Sequence, residues 1–201
     1  MLVNNIVKAD PMTPPLLSRR ALLDAALAAP ALALAAPAPA QEAPRAQAPR
    51  NLMGFRTLDW RDHFASLDRG ALLSDLNARV LHFWPRGGQD YRVYPSSVPM
   101  SEEFTRRGAT EITLKRRNPV WIPTPTMLAT NPDLPARVEA GPQNPMGTRA
   151  LNLGWPYYRI HGTDNEAKIG RLASNGCIGL FNHHVEELFE LVEVGTPVLV
   201  V

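Results

Sequence analysis

The residues best suited to chemistry sit close together near the C-terminus. The chain's only cysteine, Cys177, lies in Ser174-Asn175-Gly176-Cys177, sixteen residues after His161 in the triplet His161-Gly162-Thr163. A thiol becomes a good nucleophile when a base removes its proton, and an imidazole is the usual base. Gly176 removes a side chain where a carbonyl would have to approach the sulfur. Taken singly, a lone cysteine is most often a small buried hydrophobe, and a lone histidine is most often structural. Here both are flanked by glycine and lie in polar, turn-forming sequence rather than in apolar runs. The pair reads as a Cys-His site for acyl transfer.

The order of short motifs around that pair is more specific than the pair itself. His161-Gly162-Thr163, then Ile169-Gly170, then Ser174-Asn175-Gly176-Cys177-Ile178 resembles the active-site pattern of the L,D-transpeptidases, the YkuD-like family. The closing run Val194-Gly195-Thr196-Pro197-Val198-Leu199-Val200-Val201 is similar to the last strand of that family. The segment from Gly141 to Leu151 resembles the one that precedes its histidine strand. The likeness covers residues 78–201. It implies a compact, mainly β domain with a few helices, a β-sandwich or open barrel, with the cysteine at the edge of a groove.

The resemblance also implies the chemistry. Cys177 would attack a peptide carbonyl to form a thioester, with His161 as base and then acid, and the carbonyl of Gly162 would hold the imidazole. The donor would be a peptidoglycan tetrapeptide stem, cut between meso-diaminopimelate and D-alanine. The acceptor would be the side-chain amine of a second stem, and carbapenems would acylate the same thiol. The backbone N–H groups of Gly176 and Cys177 are natural oxyanion donors. Ser174 and Asn175 would order the turn or contact substrate; independently of the resemblance, Trp155 and Tyr158, just before the histidine, are candidates to line a peptide groove, with core packing the commoner role of such aromatics. Two departures stand out. Many members have an arginine directly after Cys-Ile, where this chain has Gly179, and many have His or Ser at the position of Asn175. The missing positive charge bears on substrate recognition. It keeps open a hydrolytic alternative, a carboxypeptidase or amidase using the same pair. A non-catalytic wall-binding module is a further alternative, disfavoured because a binder has no use for that pair.

No metal or other cofactor is expected. His183 and His184 are adjacent but lack a third ligand at suitable spacing, and a surface helix terminus accounts for them. With 21 Lys and Arg against 19 Asp and Glu, net charge +2, nothing argues for nucleic acid as a partner. The local cluster Arg106-Arg107 and Lys115-Arg116-Arg117 reads as a solvated strand face. A single cysteine excludes an intrachain disulfide.

The elements that must position the site follow from pattern and punctuation. Arg19-Arg20 precede a mild apolar run, and Ala38-Pro39-Ala40 supplies small residues before Gln41, as in a twin-arginine export signal over 1–40. The run is too weak for a membrane span in the mature form, and the expected location is the periplasm. Residues 41–58, rich in Pro, Ala and Gln at their start, read as a flexible tether. From 59 to 77, apolar residues from Trp60 to Leu76 recur near helical spacing, which predicts a short helical appendage. The catalytic domain is expected over 78–201. Strands are predicted at 78–84, 90–95, 111–118, 157–161 and 196–201, with a long ordered loop over 119–145 and a helix over 184–192.

Overall fold

The computed structural model describes residues 56–201. The expected export signal, and all but the end of the expected tether, lie outside the described residues. Ten strands and two α-helices follow in chain order: β1 (Ala71–Asp75), β2 (Val80–Trp84), β3 (Arg92–Pro95), β4 (Val98–Pro99), β5 (Gly108–Arg117), α1 (Pro125–Thr130), β6 (Arg149–Leu153), β7 (Arg159–His161), β8 (Leu172–Ser174), β9 (Ile178–Gly179), α2 (Asn182–Leu191) and β10 (Pro197–Val200). Eight strands form one mixed sheet in the order β3-β2-β1-β10-β5-β6-β7-β9, and β4 pairs with β8 in parallel beside it. The architecture is mainly β, a curled open sheet with few helices, as expected.

The segment read as a helical appendage is built differently. Only Trp60–Asp62 is helical, as one 3-10 turn capped by Asp59, whose side chain accepts from the N–H of Arg61. Ala71–Asp75 is a central strand, parallel to β10 and antiparallel to β2. The reason lies in its burial. Leu72 faces a main core with Leu81, Phe83, Ile112, Leu151, Ile160 and Leu188. Ala71 and Leu73 face a second cluster with Leu67 and Trp84, covered by Trp60, Phe64 and Leu58, the last residue of the expected tether. A strand buried on both faces shows no alternation. Its leucines therefore merge with the preceding aromatic residues into a false helical period.

The main core sets the frame of the site. Val185, Leu188 and Phe189 of α2, with Val192 just beyond it, pack into this core beside β6 and β7. Period-two alternation then sends Ile160 inward while Arg159 and His161 face the opposite side. Ile160 is fully buried. On and just before β5 the basic cluster disperses: Arg107 pairs with Glu102, Arg117 pairs with Glu190, and Lys115 donates to the Val192 carbonyl. Arg106 lies over the Trp155 ring instead.

Candidate active site

Strand pairing brings histidine and cysteine together. β7 and β9 run parallel, with Ile160 opposite Ile178 and His161 opposite Gly179, so the turn carrying Cys177 lies next to the strand carrying His161. Both side chains line one groove of about 290 Å³, together with Ser97, Trp121, Met127, Tyr157, Arg159, Ser174 and Asn175. Each is half-buried.

The histidine is held through its backbone neighbour. Its Nδ1 lies 2.6 Å from the Gly162 carbonyl oxygen. A carbonyl only accepts, so Nδ1 carries the proton and Nε2 keeps its lone pair. Gly162 donates its N–H to the Arg149 carbonyl at 3.1 Å, and the backbone beside it is tied by a residue that the sequence did not single out. Asn182, at the start of α2, accepts at Oδ1 from the N–H groups of Thr148 (3.2 Å) and Thr163 (3.1 Å). Its Nδ2 donates to the Thr163 carbonyl at 2.9 Å. A Cβ at Gly162 or Gly147 would collide with that same Oδ1, which explains why both are glycine. The signal for Asn182 was only its place at the helix start, five residues after the cysteine.

The cysteine turn is ordered by Ser174. The serine Oγ donates to the Cys177 carbonyl at 2.5 Å and accepts from the Gly176 N–H at 3.3 Å. Gly176 has φ +117°, and a Cβ there would meet the Tyr158 ring at 3.0 Å. Tyr158 donates through its hydroxyl to the Phe104 carbonyl at 3.0 Å. It lines a second depression, of about 580 Å³, rather than the groove of Cys177 and His161. Asn175 is exposed and lines both.

Tyr157, also not singled out from the sequence, occupies the left-handed region at φ +68°, a conformation uncommon for a bulky residue. Its carbonyl accepts from Cys177 Sγ at 3.3 Å and from Arg159 Nη1 at 3.4 Å. The electrostatics of the pair run against a resting ion pair. Burial lowers the His161 pKa to about 4, only partly opposed by the Gly162 hydrogen bond. Burial also raises the thiol pKa, while the charge and the hydrogen-bonding groups of Arg159 pull the other way. Burial thus works against a resting thiolate–imidazolium pair, and Cys177 Sγ directs its hydrogen bond to the Tyr157 carbonyl.

Gly179 has a structural reason too. Its backbone exchanges two hydrogen bonds with Ser97, and a Cβ would run into the Ser97 hydroxyl. An arginine at 179 would have to displace that serine. His183 and His184 lie in the first turn of α2, their rings 4.1 Å apart and packed on Phe181.

Fold and motif order meet in the comparisons with known proteins. The family model YkuD, described as L,D-transpeptidase catalytic domain, matches residues 69–200. The chain belongs to the L,D-transpeptidase family. Its match begins at 69, so β1 falls inside the L,D-transpeptidase domain rather than before it. A protein of Fuscovulum blasticum named "Putative L,D-transpeptidase in ATP synthase subunits region ORF 5" is 49% identical over 151 residues, 75% of this chain and 79% of the relative. "Probable L,D-transpeptidase YbiS" of Escherichia coli K12 is 36% identical over 138 residues, 66% of this chain but 44% of the relative. Among solved structures, an L,D-transpeptidase from Mycobacterium smegmatis superimposes with a TM-score of 0.53 at 20% identity, covering 66% of this chain and 58% of the other. The complex of the L,D-transpeptidase LdtMt1 with imipenem gives 0.51 at 19% identity, covering 66% and 59%. These structural likenesses bear on the fold alone. The chain spans most of the Fuscovulum relative, but under two thirds of the other three.

Proposed function

We propose that this chain is a periplasmic peptidoglycan L,D-transpeptidase working through a thioester on Cys177. One observation carries the reading: an imidazole with Nδ1 fixed on a backbone carbonyl shares a groove with the only thiol. Nε2 is then the free base. Cys177 Sγ attacks the carbonyl carbon between meso-diaminopimelate and D-alanine as its proton passes to His161. The tetrahedral intermediate collapses, the C–N bond breaks, and the leaving amine takes that proton. An acceptor amine then attacks the thioester carbonyl and gives its proton to His161, and the sulfur departs and is reprotonated.

A starting pair of neutral groups suits this order, because charge develops only in the transition state. The N–H groups of Cys177 and Gly176 are the proposed oxyanion donors, the second once its long bond to Ser174 lets go. Asn175, exposed beside both depressions, is the proposed substrate contact of the turn, and Ser174 is the residue that orders it. Tyr158 is placed at the second depression, which meets the groove at Tyr157 and Asn175. A second depression adjoining the groove of Cys177 fits a reaction with a donor and an acceptor. Export through the Arg19-Arg20 signal would bring the enzyme to its substrate.

Among the described residues, no helix is long and apolar enough to cross a membrane. The test is to incubate the purified chain with disaccharide-tetrapeptide and weigh the products. Cross-linked dimers that have lost alanine are expected, and none with Cys177→Ala. Trimmed monomers would establish the hydrolytic alternative instead. Imipenem, bound by LdtMt1, should add its mass on the peptide containing Cys177; turnover retained in Cys177→Ala would overturn the thioester mechanism.

A further inference from the structure

One charged side chain in the groove has no role in the chemistry described so far. Arg159 precedes His161 by two residues on β7, so period-two alternation points both to the same face. Extending the β7–β9 register back one step from Ile160 and Ile178 sets Arg159 level with Cys177. Arg159 is partly buried and lines the groove that holds the sulfur. Among the described residues it has no carboxylate partner, and its hydrogen bond is a long one, to the Tyr157 carbonyl at 3.4 Å. The other groove-lining cation, Lys168, is already paired with Asp164 at 3.3 Å. Arg159 also borders an adjoining basic depression with Arg116, Arg117 and Asn118. A guanidinium without a carboxylate partner is free to take one, and its planar fork fits a carboxylate bidentately.

We propose that Arg159 is a specificity residue of this site: its guanidinium binds a carboxylate of the acyl donor beside Cys177. The positive charge thus enters from β7 at Arg159, since β9 is closed to a side chain at Gly179, where Ser97 occupies the space. This assignment deepens the transpeptidase reading and rests on it for the identity of the donor. Arg159 acts on the thiol through its charge and hydrogen-bonding groups, in keeping with the groove they share.

A pair of thiol reagents differing by one carboxylate tests this without any acyl transfer. Cys177 is the sole cysteine, so iodoacetate and iodoacetamide both report on it alone. Arg159→Gln should lower the iodoacetate rate relative to the iodoacetamide rate by about tenfold, roughly the worth of one charge-assisted hydrogen bond. Arg159→Lys should keep most of the preference. A residue that only stabilised the thiolate would slow both reagents equally, and an unchanged ratio in Arg159→Gln overturns the proposal. Should that variant fail to fold, the wild-type ratio is compared with that of free cysteine. A higher relative rate for iodoacetate supports the carboxylate site, and an equal or lower one removes it. With tetrapeptide donor, Arg159→Gln should raise KM more than it lowers kcat. Wild-type chain that shows the iodoacetate preference but never turns the stem over would sink the transpeptidase reading and leave the anion site standing.

Discussion

Asn182 governs the histidine at the scale of single residues. Three hydrogen bonds from one side chain tie Thr148 and Thr163 to the start of α2, and the Gly162 carbonyl that holds His161 lies between them in the chain. Asn182→Ala would leave two N–H donors and one carbonyl without partners, costing about 2–3 kcal/mol. Loosening the Gly162 carbonyl would also free the imidazole to rotate. We expect kcat to fall by about tenfold or more while iodoacetamide still labels Cys177, because the thiol turn is ordered separately by Ser174. Asn182→Asp keeps the acceptor and loses the Nδ2 donor, so it should fall between wild type and alanine. Wild-type kinetics in Asn182→Ala would show that Gly162 needs no such support. The Cys-His pair was legible in the sequence because glycines and turn residues flank both members. Asn182 and Arg159 were not, because each acts through a neighbouring element: a helix start under a loop in one case, a parallel strand in the other.

The element that shapes the groove is the segment from 119 to 145, predicted as a long ordered loop and found to contain the short helix α1. Its order comes from Asn144, which is fully buried. Nδ2 of Asn144 lies 2.7 Å from the Pro119 carbonyl, 3.1 Å from that of Val138 and 3.0 Å from that of Glu139, while Oδ1 accepts from the Met146 N–H. A two-way backbone bridge between Trp121 and Val138 closes the loop's waist. Trp121, Met127 and Leu134 then become a wall of the groove that holds Cys177 and His161. Asn144→Ala should cost about 2–3 kcal/mol and open the segment to limited proteolysis. Cleavage should concentrate between 122 and 138 and leave the sheet intact; unchanged resistance would show that the bridge alone suffices. The sequence carried the loop's length and its prolines, but not its closure, since one amide reaching three carbonyls leaves no periodic trace. β1 illustrates the opposite failure. Its pattern was visible and pointed to a helix, because a strand buried on both faces next to aromatic residues mimics helical spacing.

For the whole molecule, burial of imidazoles makes stability depend on mild acid. His161 takes up its proton near pH 4 in the folded chain against an ordinary 6.5, and burial lowers the His82 and His184 pKa values as well. Between those two values the unfolded chain binds more protons than the folded one, so unfolding is favoured as pH falls. The stability lost begins near pH 6.5 and is complete for His161 near 4. A gap of that size corresponds to about 3 kcal/mol, reduced to about 2 kcal/mol because the ring is partly open to solvent. Carboxylates held low by arginine partners, Asp59 and Glu102 among them, contribute stability that is lost as pH falls from the ordinary carboxylate value through the lowered one, below the pH 5 of the test. Thermal unfolding of the full chain at pH 7.5 and pH 5 should therefore show a lower Tm in acid. For His161→Gln, whose side chain cannot take up the proton, the drop should shrink by roughly 2–6 °C. His82 and His184 would account for what remains, His82 through its burial beside Trp84 and Tyr91. An identical acid shift in wild type and His161→Gln would mean that the imidazole ionises freely in the folded groove. It would then carry charge at pH 5, and the neutral resting pair proposed for the attack would be confined to pH above about 6.5.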